Sequence, residues 1–275
     1  IPPSIAMILY GAAAEESVRH LFIAGILPGL FIAFCMGVYI YFYAKQRDIR
    51  EGSTFQIKNV ARKTKAGAWA LGTPVIILGG IYAGIFSPTE AAGVSCLYAI
   101  IVAMWIYADL DFRGLWKVII ESIYLTAQVL IIVGAATLFS RLLTIAGVPQ
   151  EIVSWIDNLG LSPWMVLLII NLFLLAVGCV LDPASAILVL APILKPVVLA
   201  AGIDPVHFGI IMTVNVSIGM FTPPFGLNIF ITQALFKVPL SSLYPGLLPF
   251  IGINLIALGV ISYWPDLSLL LVRVL

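Results

Sequence analysis

The sequence predicts an all-α polytopic membrane protein with inverted-topology repeats, a re-entrant hairpin and broken helices. Three observations support this prediction. Of the 275 residues, 62% are hydrophobic and only 10% are charged, which is far more apolar than a soluble domain requires. Apolar runs long enough to cross a bilayer alternate with short polar stretches. Two distant segments also share proline and glycine positions at a constant offset.

The first predicted segment, residues 1–44, is the end of one repeat. Residues 21–44 would be roughly 36 Å long at 1.5 Å per residue, enough for about 30 Å of hydrocarbon with some tilt. The chain opens on Ile1-Pro2-Pro3, inside a pattern that is already under way. We therefore expect a further upstream segment with a hairpin that opens to the cytoplasm.

The next segment, residues 45–68, is predicted to be a basic loop. It holds seven of the chain's fourteen basic residues, opposed only by Asp48 and Glu51. By the positive-inside rule this loop is cytoplasmic. Counting spans from it places His20 and His207 in outer loops as surface residues, and the C-terminus on the periplasmic side.

Residues 69–147 are predicted to form scaffold helices that face a partner. An apolar run at 69–86 leads outward and ends at a polar break, 87–90. A second run at 91–107 returns, and a third at 122–143 crosses outward again. Residues 150–160, which include no Lys or Arg, then form an outer loop.

Residues 148–275 form the second repeat. Two apolar arms within 163–200 surround a polar tip at 178–185, and the loops on either side of this segment lack Lys and Arg. Both arms then begin and end on one face, which favours a re-entrant hairpin. Two full spans with an inner loop at the tip remain an alternative. A last span follows at 243–264.

Between the hairpin and that last span lies a broken helix, residues 206–236. Pro223 and Pro224 remove two backbone donors and clash with the preceding turn, while Gly219 and Gly226 add backbone freedom. Carbonyls freed at mid-membrane are what ion-coupled transporters use to hold cations. A proline kink without a ligand is the alternative.

The two ends of the chain share a pattern without gaps. Pro2 matches Pro223 and Pro28 matches Pro249, both at an offset of 221 positions. The predicted spans give the two copies opposite directions across the membrane. This is the inverted-topology repeat of many secondary transporters, whose ligand sites lie at the repeat interface near the midplane.

Polar breaks at membrane depth supply the candidate site residues. A cation such as Na⁺ takes five or six hard oxygen ligands, mostly carbonyls and hydroxyls. The cation-binding candidates are Gly178, Asp182, Ser185, Asn215, Gly219, Thr222 and Pro223. The substrate-facing candidates are Pro3, Ser4, Ser87, Thr89, Glu90 and Ser217.

Several of these residues have a purely structural alternative. Asp182 and Glu90 could cap the helices that begin beside them. Asn215 and Ser217 could form hydrogen bonds between helices. Lys195 could snorkel to the outer interface or steer an anionic substrate.

Other classes of function find little support. No Ser/His/Asp, HExxH or Walker pattern indicates an enzyme, and no organic cofactor is expected. Outside the basic loop, no basic helix and no interleaving of aromatic and basic residues indicates nucleic acid binding. The three cysteines lie inside apolar runs and are interpreted as small buried hydrophobic residues.

Four segments carry a family resemblance: GIYAGIFSPTEAA at 80–92, LDP at 181–183, GIDPVHFG at 202–209 and GMFTPP at 219–224. With them the chain resembles the large membrane subunit of tripartite ATP-independent periplasmic (TRAP) transporters over essentially its whole length. Ser87 stands where that family has Thr, a change that keeps the hydroxyl.

The resemblance implies an elevator-type, Na⁺-driven symporter in the bacterial inner membrane, with an ion-transporter-superfamily-like fold. A periplasmic substrate-binding protein would deliver an organic anion of the sialic acid or C4-dicarboxylate type, and a small four-helix membrane subunit would brace the large one. The tip at 178–185 and the break at 219–223 would form one Na⁺ site. A stand-alone dicarboxylate/Na⁺ symporter and a non-transporting membrane anchor are the alternatives.

Overall fold

A computed structural model describes residues 1–49 and 56–274 of the chain. These residues form fourteen α-helices and one short π-helix, with no strand among them, so the prediction of an all-helical protein is confirmed. The helices run over Ile5–Ala13 (α1), Val18–Ala24 (α2), Ile26–Gln46 (α3), Ile57–Ala66 (α4), Ala68–Tyr82 (α5), Pro88–Ile101 (α6), Phe112–Ile145 (α7), Val148–Asn158 (α8), Pro163–Gly178 (α9), Pro183–Ala200 (α10), Pro205–Gly219 (α11), Leu227–Phe236 (α12), Leu240–Tyr263 (α13) and Asp266–Val274 (α14).

Several helices are long and apolar enough to cross a membrane, as a polytopic protein requires. Among the described residues there are five such segments: Val18–Gln46, Pro88–Ile106, Phe112–Ile145, Pro183–Ala200 and Leu240–Tyr263. The second of them includes the π-helix Val102–Ile106, which continues α6. The 34 residues of α7 give it a length of about 51 Å at 1.5 Å per residue, well beyond the predicted span at 122–143.

The chain folds as two compact units. The first comprises Ile1–Ile40 and Ile132–Leu275, and the second comprises Tyr41–Ile131. Helix α11 forms the centre of the first unit, where it contacts α1, α2, α9, α10, α13 and α14. Twelve of its fifteen residues are buried, which fits a helix that is apolar on all sides.

Aromatic packing and a close backbone approach hold α1 against α11. The Tyr10 and Phe208 rings meet edge to face with centroids 6.2 Å apart. The Tyr10 hydroxyl donates a hydrogen bond of 2.7 Å to the Pro205 carbonyl. Gly209 leaves the room for this ring, because a Cβ atom there would lie 2.5 Å from Tyr10 Cε1 and 2.7 Å from Leu21 Cδ2.

In the second unit, α5 packs against α6. The Tyr98 hydroxyl donates to the Trp69 carbonyl at 2.8 Å, and its ring lies over Gly72, where an added Cβ would be 2.1 Å from the hydroxyl oxygen. Helix α6 begins at a capping box, in which the Ser87 backbone donates to Glu90 and the Glu90 backbone donates back to Ser87. The capping interpretation of Glu90 is thereby confirmed.

The two helix interruptions predicted at 178–185 and 219–226 are confirmed, but several helices were missed. The arms of the hairpin are α9 and α10, and the broken helix consists of α11 and α12. Residues 150–160, predicted to be a loop, fall largely within α8. Part of the predicted basic loop is α4, and α14 follows the last span; residues 50–55 of that loop lie outside the described residues.

The helix predicted to be continuous over 21–44 is interrupted in the structure, where Gly25 separates α2 from α3. Whether the hairpin is re-entrant, and whether the two repeats run in opposite directions, stay predictions. The peptide bonds Pro2–Pro3 and Pro223–Pro224 are both cis.

Two side chains near the helix ends were misplaced by the sequence reasoning. His207 was predicted to be a surface residue, yet it is 1% exposed, because α13 and α14 cover the start of α11. Lys195 was expected to snorkel to the interface or steer a substrate. Instead its ammonium group forms an ion pair of 2.8 Å with Glu16 and donates to the Ala14 carbonyl, so it ties α10 to the connection between α1 and α2.

The contact at Gly209 gives a test of the packing at the centre of the first unit. Gly209→Ala should lower the free energy of unfolding by about 1–3 kcal/mol, because the added methyl group overlaps Tyr10 and Leu21. Gly259→Ala is the matched control, since nothing lies within 4 Å of a Cβ there, and it should be neutral or stabilising. Thermal unfolding in detergent measures both, and equal melting temperatures would contradict the packing described.

Candidate functional site

The tip of the hairpin meets the first end of the broken helix. Helix α9 ends at Gly178 and α11 ends at Gly219. An ideal Cβ on Gly219 would lie 2.3 Å from the carbonyl carbon of Gly178, and one on Gly178 would lie 3.2 Å from the Cα of Val216. Two interruptions that are about 40 positions apart in the sequence therefore touch, and the contact at Gly219 has no room for a larger residue.

Asp182 caps the second arm of the hairpin. Its carboxylate accepts a hydrogen bond of 3.0 Å from the Ser185 backbone and one of 2.6 Å from the Ser185 hydroxyl. The capping interpretation of Asp182 is confirmed, and Ser185 lies beside it as a partner in the cap. A carboxylate has about four acceptor positions, so the cap leaves oxygen lone pairs free for a cation.

Residues 220–226 connect the two halves of the broken helix and contain Thr222 and Pro223. The Thr222 hydroxyl donates to the Ile218 carbonyl at 2.7 Å, so it turns back onto the last turn of α11. Its carbonyl, which directly precedes Pro223, accepts from Gly226 at 3.2 Å. Because a carbonyl and a hydroxyl each have two lone pairs, Thr222 keeps an acceptor position on both oxygens.

Asn215 takes part in a buried polar cluster that crosses three helices. Its amide nitrogen donates to Asn171 on α9, whose own amide donates to the Ser262 hydroxyl on α13 at 3.0 Å. The His207 ring lies 3.3 Å from the Ser262 carbonyl. All four residues are less than a tenth exposed. The expected hydrogen bonding of Asn215 between helices is confirmed.

Two buried atoms of this cluster, Asn215 Oδ1 and His207 Nδ1, are left without a hydrogen-bond partner among the described residues. Asn171 and Ser262 were missed by the sequence reasoning, although each is a polar residue inside a long apolar run. That pattern alone marks interhelical hydrogen bonds in membrane proteins and could have identified them.

A cavity of about 270 Å³ lies between α1, α3, α11 and α13. Its wall is mostly apolar, with polar groups from Ser4, Thr213, Ser217 and Asn254. Two predicted substrate-facing residues, Ser4 and Ser217, thus lie in the same cavity. Ser217 donates back to the Thr213 carbonyl at 2.7 Å, and the buried Thr213 hydroxyl has no partner among the described residues.

The cavity adjoins the helix break. Ile218 and Phe221, which line it, flank Gly219 in the sequence. Its volume is just below the roughly 300–1,000 Å³ of typical small-molecule sites, so it suits a small ligand. Pro3 is exposed and directly precedes Ser4, which lines the cavity. Its predicted contact with a substrate stays a prediction.

The remaining substrate-facing candidates belong to the second unit. Ser87 and Glu90 form the capping box of α6, and Thr89 is exposed in its first turn. Their predicted contact with a substrate stays a prediction.

The comparisons with known proteins all find the same family of membrane transporters. Residues 1–267 match the family described as "Tripartite ATP-independent periplasmic transporter, DctM component". The chain is 44% identical over 271 residues to the C4-dicarboxylate TRAP transporter large permease protein DctM of Pseudomonas aeruginosa, with 98% of this chain and 64% of that protein covered. It is 40% identical over 275 residues to the ectoine/5-hydroxyectoine large permease protein UehC of Ruegeria pomeroyi, with 98% and 63% covered.

A third relative, the sialic acid TRAP transporter large permease protein SiaM of Vibrio cholerae, is 35% identical over 271 residues, with 98% of this chain and 64% of that protein covered. The chain thus spans somewhat less than two thirds of the length of these three relatives.

The contact between the two glycines predicts a graded series. Gly219→Ala should destabilise the protein most, by about 1–3 kcal/mol, because its methyl group meets backbone at 2.3 Å. Gly178→Ala should cost less, because its nearest neighbour is 3.2 Å away, and Gly252→Ala, with nothing within 4 Å, should cost nothing. Melting temperatures in detergent give the order, and any other order would contradict the contact.

The buried polar cluster predicts a second series. Asn171→Ala removes the partner of both Asn215 and Ser262 and should cost about 2 kcal/mol of stability, since buried polar groups are left unpaired. Asn228→Ala, at an exposed position on α12, should stay within about 0.5 kcal/mol of the parent. A similar loss in both variants would show that the cluster does not stabilise the fold.

Proposed function

The chain belongs to the DctM family of tripartite ATP-independent periplasmic transporters, and on this premise we propose that it forms most of the membrane permease of a Na⁺-coupled symporter that imports an organic acid. A large permease subunit is the common description of its relatives. The observation that carries the proposal is the contact between Gly178 and Gly219, because it brings two helix breaks of the second repeat to one place.

The coupling ion would bind at this contact. Na⁺ is a hard cation that prefers carbonyl, hydroxyl and carboxylate oxygens. Thr222 would contribute its hydroxyl or carbonyl, and Asp182 a carboxylate oxygen that its cap leaves free. The C-terminal carbonyl ends of α9 and α11, at Gly178 and Gly219, add the negative ends of two helix dipoles. This is the arrangement by which broken helices hold cations in secondary transporters.

The substrate would be a small organic anion that enters beside the ion. A C4-dicarboxylate is our first choice, because the relative with 44% identity is named for that substrate, and sialic acid is the second. Ser4 would offer a hydroxyl donor from the cavity wall, and Ser217 would do so by exchanging its hydrogen bond to the Thr213 carbonyl for one to the substrate. The further substrate-facing residues would be Pro3, Ser87, Thr89 and Glu90, because each lies in one of the polar breaks of the sequence.

Transport would follow an elevator form of alternating access. Such a mechanism needs one body that carries the ligand and another that stays in place. The unit with Ile1–Ile40 and Ile132–Leu275 contains both breaks and the cavity, so it is the candidate for the moving body. The unit Tyr41–Ile131 would supply part of the scaffold, and the exposed apolar surface of α7 would face a small four-helix membrane subunit.

The remaining assignments follow from this function. A periplasmic binding protein would deliver the substrate, so the permease would reside in the bacterial inner membrane. The basic segment 45–65 would be cytoplasmic and the C-terminus periplasmic, in agreement with the positive-inside rule.

Thr222→Ala tests the ion site. It should raise the Na⁺ concentration for half-maximal uptake about five- to tenfold, the cost of one neutral oxygen ligand, with little effect on folding. Thr232→Ala is the matched control, because Thr232 makes the same hydrogen bond to the carbonyl four residues earlier, at 2.7 Å, but its bond is exposed on α12 whereas that of Thr222 is partly buried. Uptake of radiolabelled succinate into proteoliposomes measures the effect.

The same assay separates the alternatives. An unchanged Na⁺ dependence in Thr222→Ala would contradict the assignment of Thr222 to the Na⁺ site. Uptake that proceeds without an added periplasmic binding protein would favour a stand-alone dicarboxylate/Na⁺ symporter. Absence of uptake under every condition, together with a cofactor absorbance on purification, would favour a membrane anchor.

A further inference from the structure

Helix α4, Ile57–Ala66, touches the described part of the chain only near its C-terminal end, where it meets α5 and Tyr107. None of its residues is buried, and Ile57 and Val60 are 75% and 49% exposed. It carries four basic residues and no acidic one: Lys58, Arg62, Lys63 and Lys65. An isolated helix of ten residues is marginal in water, so a second surface is needed to stabilise it.

The two kinds of side chain lie on different sides of α4. At about 100° per residue, Ile57, Val60 and Ala61 fall on one side and form an apolar stripe. Lys58 and Lys65 flank this stripe on one edge and Lys63 flanks it on the other. This arrangement is that of a helix that lies in a membrane interface, with its apolar side toward the acyl chains and its lysines at the level of the phosphates.

Hydrogen bonds hold α4 at the end of the membrane spans. The Tyr107 hydroxyl donates to the Ala66 carbonyl at 3.0 Å and accepts from the Ala70 backbone at 3.3 Å. It therefore joins the corner between α4 and α5 to the end of the span Pro88–Ile106.

Aromatic side chains are exposed at this end, as in the belts that mark membrane interfaces: Trp69 by 50% and Trp105 by 70%. The corner thus lies at the level of the lipid headgroups, which is where an amphipathic helix would meet them.

We propose that α4 is an interfacial helix that binds anionic phospholipid, with phosphatidylglycerol as the probe. The partner follows from charge complementarity, because the four cations of α4 form no ion pair with another described residue, and cations next to a membrane span attract negative headgroups. The proposal concerns the second unit alone and does not depend on the substrate or on the coupling ion.

A label on α4 tests the proposal. Val60→Cys, in the permease with Cys35, Cys96 and Cys179 replaced by Ala, carries bimane and is reconstituted into nanodiscs of phosphatidylcholine with about a third phosphatidylglycerol. Lipids brominated near the headgroup should quench the label, and brominated phosphatidylglycerol should do so more strongly than brominated phosphatidylcholine. Raising KCl to about 0.5 M should reduce this preference through screening.

The triple variant Lys58→Gln, Lys63→Gln, Lys65→Gln removes the charges that flank the stripe. The preference for phosphatidylglycerol should fall at least fivefold, the contribution of about one basic residue near a membrane surface, and as much as about a hundredfold if all three act independently. Arg141→Gln, Lys237→Gln, Arg273→Gln is the control, since it removes the same number of charges outside α4 and should leave the preference unchanged.

Three results would overturn the proposal. The two brominated lipids could quench equally, the triple variant could keep the preference of the parent, or the label could stay open to aqueous iodide in every lipid mixture. A label that becomes protected only when a small membrane subunit is added would assign α4 to a protein interface instead of a lipid surface.

Discussion

A backbone that leaves helical geometry inside hydrocarbon needs partners within the protein, because lipid offers it none. In this chain two helix interruptions, both predicted to lie at membrane depth, meet at one place. The tip after α9 and the connector after α11 touch through Gly178 and Gly219, and their free groups are satisfied by local bonds such as Asp182 to Ser185 and Thr222 to Ile218. The central position of α11 follows from this contact. The helix is packed on every side because it must cover the freed backbone groups of the two interruptions.

Because α11 is buried, its polar residues indicate where a ligand or water could bind. Asn215 forms a hydrogen bond with Asn171, but its own oxygen remains without a partner among the described residues, as does the hydroxyl of Thr213. An unpaired buried acceptor costs about 1–3 kcal/mol, which a fold tolerates where a ligand or water compensates for it. Both groups lie on α11, which lines the cavity and ends at the glycine contact, and Thr213 is a polar residue of this region that the sequence analysis did not identify.

Local rules account for what the sequence could predict. Proline and glycine act on their own turn of backbone, so the breaks at 179–182 and 220–226 and the caps at Asp182 and Glu90 could be predicted from neighbours alone. Charge was a poorer guide, because α4, α8 and α14 are amphipathic and were interpreted as polar loops or omitted. The burial of His207 and the ion pair of Lys195 depend on contacts between distant helices, which no local pattern contains.

The length of α7 has a consequence for the membrane around it. About 51 Å of helix exceeds about 30 Å of hydrocarbon by about 21 Å, or some four turns, on a straight crossing. Tilt absorbs part of this hydrophobic mismatch. The remaining excess length lies in the first three turns, where Lys117 and Glu121 form an exposed ion pair of 3.8 Å whose charges would be costly to place in lipid. The helix therefore has reserve length, with which it can adapt to bilayers of different thickness while its charged turns stay in the aqueous phase.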